Sequence, residues 1–370
     1  MNIRQPAYLL FAVSLFITFG FSAFAQTVQP TPPDDGDVIK VNSRLVVVPV
    51  SVTDAGGQPI LGLRAQDFRI VEENKTQQIE QISNAEKVPL EIALLFDVSA
   101  STDSMFKFEQ ETAAQFLQEV MRPDDRATIF TIGSTPRLVQ ARDAANQSAI
   151  SIKSIQPTKS FTAFYDSVAA AAEYLQKNSP PGRRKVIVVI SDGEDTNSER
   201  IRRAIQSGYN KLGEKLNTLD SKTLYQLTVA NRNDASAREQ NRVLQSLQNT
   251  DAVFYSINPA GSSYQLNKMS LFGQSNLQKF ADQTGGTAFL PKFQPINLKD
   301  NLQNSSNVKR NQQTLTTIFR QLANELQAQY LVQYYSEAEF PMNRYVKLEV
   351  GLTNSQKLRV RARQGYFVKN

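Results

Sequence analysis

The 370-residue chain contains no cysteine, no histidine and no tryptophan. Without cysteine there is no disulfide and no thiolate metal site. Without histidine there is no imidazole ligand, no Ser-His-Asp or Cys-His catalytic set and no histidine-ligated haem. Any metal site must therefore be built from oxygen, a donor set suited to Mg²⁺, Mn²⁺ or Ca²⁺. Charge of one sign is also scarce: 41 Lys and Arg face 35 Asp and Glu, a net +6 spread along the chain. That is no basic stripe, so nucleic-acid binding is not expected. The apolar share, 41%, is that of an ordinary globular protein and excludes global disorder. The length allows two or three domains.

Long hydrophobic runs are confined to the start. Arg4 is followed by an uncharged apolar run over 7–24 that ends in Ala23-Phe24-Ala25 before Gln26. This pattern predicts a cleavable secretory signal peptide over 1–25, leaving no stable membrane span. The alternative is a retained anchor, because the run approaches a spanning length. No cysteine follows, so a lipoprotein anchor is excluded. Residues 26–40, with Pro30, Pro32 and Pro33, read as a disordered linker. A cysteine-free exported chain suits a bacterial periplasm or the cell exterior.

Beyond the linker, Arg44-Leu45-Val46-Val47-Val48-Pro49-Val50-Ser51-Val52 alternates as a strand does, and Pro49 suggests a sheet edge. Segments 68–71 and 78–82 flank a polar Glu73-Asn74-Lys75 turn and predict a hairpin. From Pro89 the pattern changes to continuous apolar runs at 91–96, 127–132, 186–190 and 252–257, the mark of strands buried on both faces. Helical patterns at about 104–121, 163–177 and 275–284 complete a mainly parallel α/β sheet covered on both faces. The long connection between Ile190 and Ala252 reads as a helix from about 197, a polar insertion at about 208–235 and a second helix over 236–248. After an amphipathic stretch at 313–328, alternating strands return at 330–335, 345–350 and 358–363. Neither terminal β segment suffices alone. Residues 41–88 and 329–370 are therefore expected to pair as one β-sandwich, with an α/β domain over 89–328 inserted between its halves.

Chemistry concentrates at strand ends. Asp97-Val98-Ser99-Ala100-Ser101 follows the first buried strand, and Asp97, Ser99 and Ser101, at spacing two, can converge on one point. Asp192, in Ser191-Asp192-Gly193-Glu194-Asp195, follows another buried strand on the same sheet edge, and Gly193 permits a tight turn. Thr162, in Ser160-Phe161-Thr162-Ala163, stands where a loop enters a helix. Each of these alone is accounted for by a helix cap. Together, two carboxylates and three hydroxyls suit Mg²⁺, and an open coordination position would favour an anionic oxygen from outside.

The ordered set Asp97, Ser99, Ser101, Thr162 and Asp192 resembles the von Willebrand factor A-type domain with its metal-ion-dependent adhesion site. Phe164-Tyr165-Asp166 and Ser191-Asp192-Gly193-Glu194-Asp195-Thr196 look like the family's segments around the last two ligands. The flanks, with Ala65-x-Asp67-Phe68 and Arg363-Gln364-Gly365-Tyr366-Phe367, resemble the exported von Willebrand factor A-related proteins abundant in Acidobacteria. The resemblance implies a Rossmann-like fold over 89–328. It also implies Mg²⁺ or Mn²⁺, ahead of Ca²⁺, held by those five residues and used to grip an Asp or Glu of a protein ligand. Two positions depart from the family pattern: Ala100, where glycine is common, and Ser160-Phe161, in place of Gly-Gly.

The expectation is an exported, metal-dependent protein-binding module rather than an enzyme, since no imidazole is present for proton transfer. Two alternatives stay open. One is a structural envelope protein with a vestigial or purely stabilising metal site. The other is a phosphotransferase with Asp97 as nucleophile, disfavoured because Ser99 stands where a second carboxylate would be wanted. Elsewhere, Gly285-Gly286 reads as a helix C-cap, and Arg359, Arg361 and Arg363 as a solvated strand face. The aromatics Tyr330, Tyr334, Tyr335, Tyr345, Tyr366 and Phe367 read as sandwich core or rim.

Overall fold

The structure is a computed structural model that describes residues 43–99, 103–158, 160–259, 268–295, 301–354 and 357–369; the expected signal peptide and linker lie outside them. Four strands open the described chain: β1 (Arg44–Thr53), β2 (Phe68–Glu72), β3 (Lys75–Gln77) and β4 (Ile79–Asn84). An α/β stretch follows: β5 (Leu90–Asp97), α1 (Asp103–Val120), β6 (Arg126–Ile132), β7 (Arg137–Asp143), α2 (Ala145–Ser154), α3 (Phe164–Asn178) and β8 (Arg184–Ile190). It continues through α4 (Glu199–Leu212), α5 (Ser221–Thr250), β9 (Ala252–Ile257), α6 (Lys268–Thr284), β10 (Ala288–Phe289) and α7 (Asn301–Gln327). Four more strands close the chain: β11 (Tyr330–Ser336), β12 (Tyr345–Leu352), β13 (Arg359–Ala362) and β14 (Gly365–Phe367).

The terminal strands make a sandwich of two four-stranded sheets, ordered β13-β1-β11-β4 and β14-β12-β2-β3. Each sheet mixes strands from both ends of the chain. Alternation decides its core: Val46, Val48, Val50 and Val52 point inward against Phe68, Ile70, Tyr330, Tyr334 and Leu348. Buried Glu72 accepts hydrogen bonds from Tyr334 Oη, Ser336 Oγ and Tyr366 Oη at 2.7–2.8 Å. Two sequence expectations need correction. First, β1 is an inner strand, not an edge. It pairs with β11 over Arg44–Val50 and with β13 only from Val50 to Thr53, so Pro49 sits just where the second partner has run out. Second, the hairpin is β2 with β3, turning through Glu73 (φ 44°) and Asn74 (φ 70°), while β4 leaves for the other sheet to pair with β11.

The middle sheet runs β10-β9-β8-β5-β6-β7, parallel except for edge strand β7. Counted from β5, this is the doubly wound order in which the chain reverses direction between β5 and β8. Strand alternation sorts two cores. Ile92, Leu94 and Phe96 face α1, α2 and α7 through Phe116, Ile152, Phe319 and Leu322. Ala93, Leu95, Ile187 and Val189 face α3, α5 and α6 through Val168, Val243, Leu247 and Phe280. The fold is thus a Rossmann-like α/β domain inserted into a β-sandwich built from both chain ends.

The connection after β8 contains the two expected helices, but they extend through most of the stretch at 208–235 expected as a polar insertion. A helical hairpin occupies it, and α5 runs unbroken for 30 residues. Nothing in 221–250 is glycine or proline, and the Asp220 carboxylate caps the start by accepting from Lys222 N and Thr223 N, both at 2.9 Å. Composition misled because the outer half of the helix is solvated, whereas its inner half buries Ala235, Val243 and Leu247.

The sandwich and the α/β domain form one compact unit. Arg184 Nη1 donates to Leu326 O (3.0 Å) and Gln329 Oε1 (2.9 Å), and Gln329 Nε2 donates to Tyr255 Oη at 2.9 Å. The expected solvated arginine face holds for Arg359 alone. Arg361 donates to Gly286 O (3.2 Å), and Arg363 to Asp251 Oδ1 (2.8 Å) and Val47 O (2.9 Å). Gly285, at φ 86°, ends α6 so close to β13 that a Cβ would lie 2.7 Å from Ala362 C.

Candidate functional site

The reversal point between β5 and β8 opens a crevice at their carboxyl ends, where a doubly wound sheet presents its ligand-binding groups. Asp97 ends β5 on one side of it, and Ser191-Asp192 follow β8 on the other. Asp97 Oδ1 accepts from Ser99 N (3.0 Å) and Ser99 Oγ (2.6 Å), while Oδ2 accepts from Ser191 Oγ at 2.6 Å. Burial raises the Asp97 carboxyl above its ordinary value against the pull of the Ser191 and Ser99 hydrogen bonds. Asp192 Oδ1 accepts from Glu194 N at 2.9 Å. Burial pushes its carboxyl up to about 6, with the charges of Asp97 and Glu194 adding to the rise.

Thr162 belongs to the neighbouring loop, which is tied to both strands. Thr158 N donates to Val98 O (2.8 Å) and Ala163 N to Gly133 O (2.7 Å). Thr162 N donates to Thr196 Oγ1 (2.8 Å), and Thr162 O accepts from Thr196 N (2.8 Å) and Asn197 N (2.9 Å). Thr162 is buried as a residue, and its hydroxyl makes no hydrogen bond among the described residues. Asp195 locks the same two loops by accepting from Tyr165 N and Ser198 N, each at 3.0 Å. Asp97, Ser99 and Asp192 thus line one crevice with the Thr162 loop beside it. Ser101 lies outside the described residues. Phe161, next to Thr162, is 68% exposed at the rim.

The loop bearing Asp192 is pressed onto α6. Gly193 has φ 77°, and a Cβ there would meet Gly273 O at 2.4 Å and Leu277 Cγ at 2.8 Å. Asn276 Nδ2 donates to Gly193 O (3.0 Å), and Tyr165 Oη donates to Asn276 Oδ1 (2.8 Å).

Three residues were not singled out in the sequence. Ser191 holds Asp97, and Glu194 accepts from Ser270 Oγ at 2.5 Å. Glu109 is buried on α1 without a hydrogen bond or ion pair among the described residues. Burial raises its carboxyl to about 8, with the Asp97 charge adding. Its signal was present: an acid three residues after Phe106 and four before Ala113, on the core-facing stripe.

Among the described residues, none of Asp97, Glu109, Asp192, Glu194 and Asp195 forms an ion pair. No group of three or more carboxylates there has metal-holding geometry, so a cation would rely on two carboxylates with hydroxyls and water. That donor set, acidic and oxygen-only, fits a hard divalent cation.

Residues 92–194, from β5 to the turn after β8, match the family model of the von Willebrand factor type A domain. The chain carries a von Willebrand factor A domain. No curated protein matches it. Similar solved structures include proximal thread matrix protein 1 of the mussel byssus, at 11% identity and TM-score 0.40, over 69% of this chain and 50% of that one. That protein has also been solved with a zinc-occupied MIDAS motif. A mutant of the PilB minor pilin of Streptococcus sanguinis is 13% identical over 77% of this chain and 80% of its own, with TM-score 0.41. The vWF domain of the Porphyromonas gingivalis pilus tip protein Mfa5 is 12% identical over 64% and 96%, with TM-score 0.37. This chain spans about half the length of the mussel protein. At these identities and scores the likenesses decide nothing about what the A domain binds. Among the described residues, no helix is long and apolar enough to cross a membrane.

Proposed function

We propose that the A domain is a divalent-cation-dependent protein-recognition module of an exported chain, working by binding and not by catalysis. Asp97, Ser99, Ser101, Thr162 and Asp192 are the residues proposed to hold Mg²⁺ or Mn²⁺. The carrying observation is the pair of half-buried carboxylates, Asp97 and Asp192, on facing strand ends with no cation paired to either among the described residues. Burying like charges together without a counter-charge is costly, and a divalent ion relieves it. When bound, such an ion offers a positive centre to an anionic oxygen of a partner. Ser191 and Ser99 orient Asp97, the Glu194 amide orients Asp192, and the free Thr162 hydroxyl completes the wall. With two acids roughly cancelling the ion, the remaining coordination favours an Asp or Glu side chain of a protein ligand, and exposed Phe161 supplies an apolar rim contact. Export rests on the signal-like segment 1–25.

Isothermal titration with MgCl₂ and MnCl₂ tests the reading. The wild type is expected to bind one ion, and Asp97→Ala to lose binding while keeping its circular dichroism spectrum. Absence of binding by the folded wild type overturns the proposal. A pull-down from envelope extract in Mg²⁺ and in EDTA then separates recognition, which needs a cation-dependent partner, from a metal that only stabilises the fold.

A further inference from the structure

Far from that crevice, where the sandwich meets the amino-terminal edge of the α/β sheet, lies a cavity of about 590 Å³, within the range of small-ligand sites. Six cationic side chains line it (Arg44, Arg183, Arg184, Lys185, Arg363 and Lys369) against one carboxylate, Asp251. Asp251 is already taken by Arg363 and Lys369. Arg183 is paired with Glu91. Arg44, Arg184 and Lys185 form no ion pair among the described residues, and Arg44 Nη1, Arg184 Nη2 and Arg363 Nε are buried nitrogens without a hydrogen-bond partner there. A buried donor left unmade costs roughly 1–3 kcal/mol, more when charged, so three from three different arginines in one cavity call for an acceptor. Burial pushes the Arg184 guanidinium down to about 10 and holds the Lys185 ammonium below its ordinary range. The remaining wall is apolar, with Leu45, Val47, Leu331 and Phe367; Leu45 is 47% exposed and Val47 36%.

We propose that this cavity binds a phosphomonoester carried on an apolar body, the phosphate seated among Arg44, Arg184 and Arg363 and the body against Leu45, Val47 and Leu331. Guanidinium groups match tetrahedral oxyanions through their fixed donor geometry, and three separate arginines can serve three oxygens at once. A phosphomonoester offers three terminal oxygens and up to two negative charges to these guanidinium groups, against two oxygens and one charge for a carboxylate. The site takes no part in the cation chemistry of the β5–β8 crevice.

The test is titration calorimetry of the full mature chain in EDTA, with hexyl phosphate, inorganic phosphate, hexanoate and hexanol as probes. Hexyl phosphate is expected to bind at least tenfold more tightly than inorganic phosphate or hexanoate, and hexanol not to bind. Arg44→Gln should weaken hexyl phosphate at least tenfold without changing the ligand-free melting temperature, because that side chain makes no hydrogen bond or ion pair among the described residues. Arg137→Gln, on the exposed edge strand β7, should leave binding unchanged. The proposal is overturned if hexyl phosphate fails to bind or binds no better than hexanoate. It is equally overturned if Arg44→Gln and Arg137→Gln weaken binding alike, which would mark diffuse surface charge.

Discussion

Gly193 and Gly273 set how closely the Asp192 turn can approach α6. A methyl group at either position would overlap backbone of the other segment at 2.4–2.6 Å. Gly193→Ala is therefore expected to cost about 2–4 kcal/mol in urea unfolding, from strained positive φ together with the clash. Adding Gly273→Ala should cost less than the two single effects combined, since one displacement of the turn from α6 relieves both clashes. Glu109 gives a pH signature. Its folded-state carboxyl titrates at about 8 against an ordinary value of 4.5, so the folded protein holds a proton that the unfolded chain releases between them. Stability must then fall as pH rises through that interval and level off above it. Glu109→Gln, measured in EDTA, should match the wild type near pH 5 and exceed it at pH 8.5 by on the order of 1–3 kcal/mol. Asp97 and Asp192 are also raised and add slopes of the same sign, so the variant flattens the dependence without abolishing it. Parallel stability curves for the two proteins would show that Glu109 is not the titrating group. Asp97 and Asp192 could be read from the sequence because Asp97 directly follows one continuous apolar run and Asp192 stands one residue beyond another. Ser191 and Glu109 could not, because their roles come from a strand neighbour and a helix face that only the assembled sheet brings together.

Among the elements, the buried strands were the most legible: a run such as Val186-Ile187-Val188-Val189-Ile190 has few alternatives to a strand covered on both faces. The middle of the connection after β8 was the least, because a solvated helix and a polar insertion have nearly the same composition, the helix being marked by the lack of glycine and proline over 221–250. Between residues 202 and 234 no described side chain is fully buried, whereas Val243 and Leu247 are. Replacing 209–228 with a short Gly-Ser link should therefore lower unfolding free energy by less than about 1 kcal/mol, while Leu247→Ala should cost about 2–4 kcal/mol. Chemical denaturation of both variants checks the contrast. The reverse ranking would mean that the hairpin tip carries packing that the fold does not reveal.

At the scale of the whole molecule, the sandwich cannot form from either end of the chain alone. β1 finds its main partner in β11, and β2 finds its in β12. Removing 329–370 leaves four strands with exposed apolar faces and takes away Gln329, which accepts from Arg184. That truncation is expected to be insoluble or to bind a hydrophobic dye strongly, and calorimetry of the intact chain should show one transition, not two. The pairing of the two ends was inferable from insufficiency, since neither β segment could close by itself. The arginine-lined seam was not, because Arg361 and Arg363 look like solvated residues until β13 is laid against α6.

The nesting of one unit inside the other also decides where tension travels. The α/β domain leaves the sandwich after β4 and returns at β11, and those two points are clamped side by side: Asn84 pairs with Tyr330, and Ala85 N donates to Gln329 O at 3.0 Å. A pull applied at the outer ends of β1 and β14 is therefore carried by the sandwich ladders and short-circuited across this clamp. The crevice between β5 and β8 stays off the load path until the sandwich shears open, so a partner held there would be gripped by an unstretched domain.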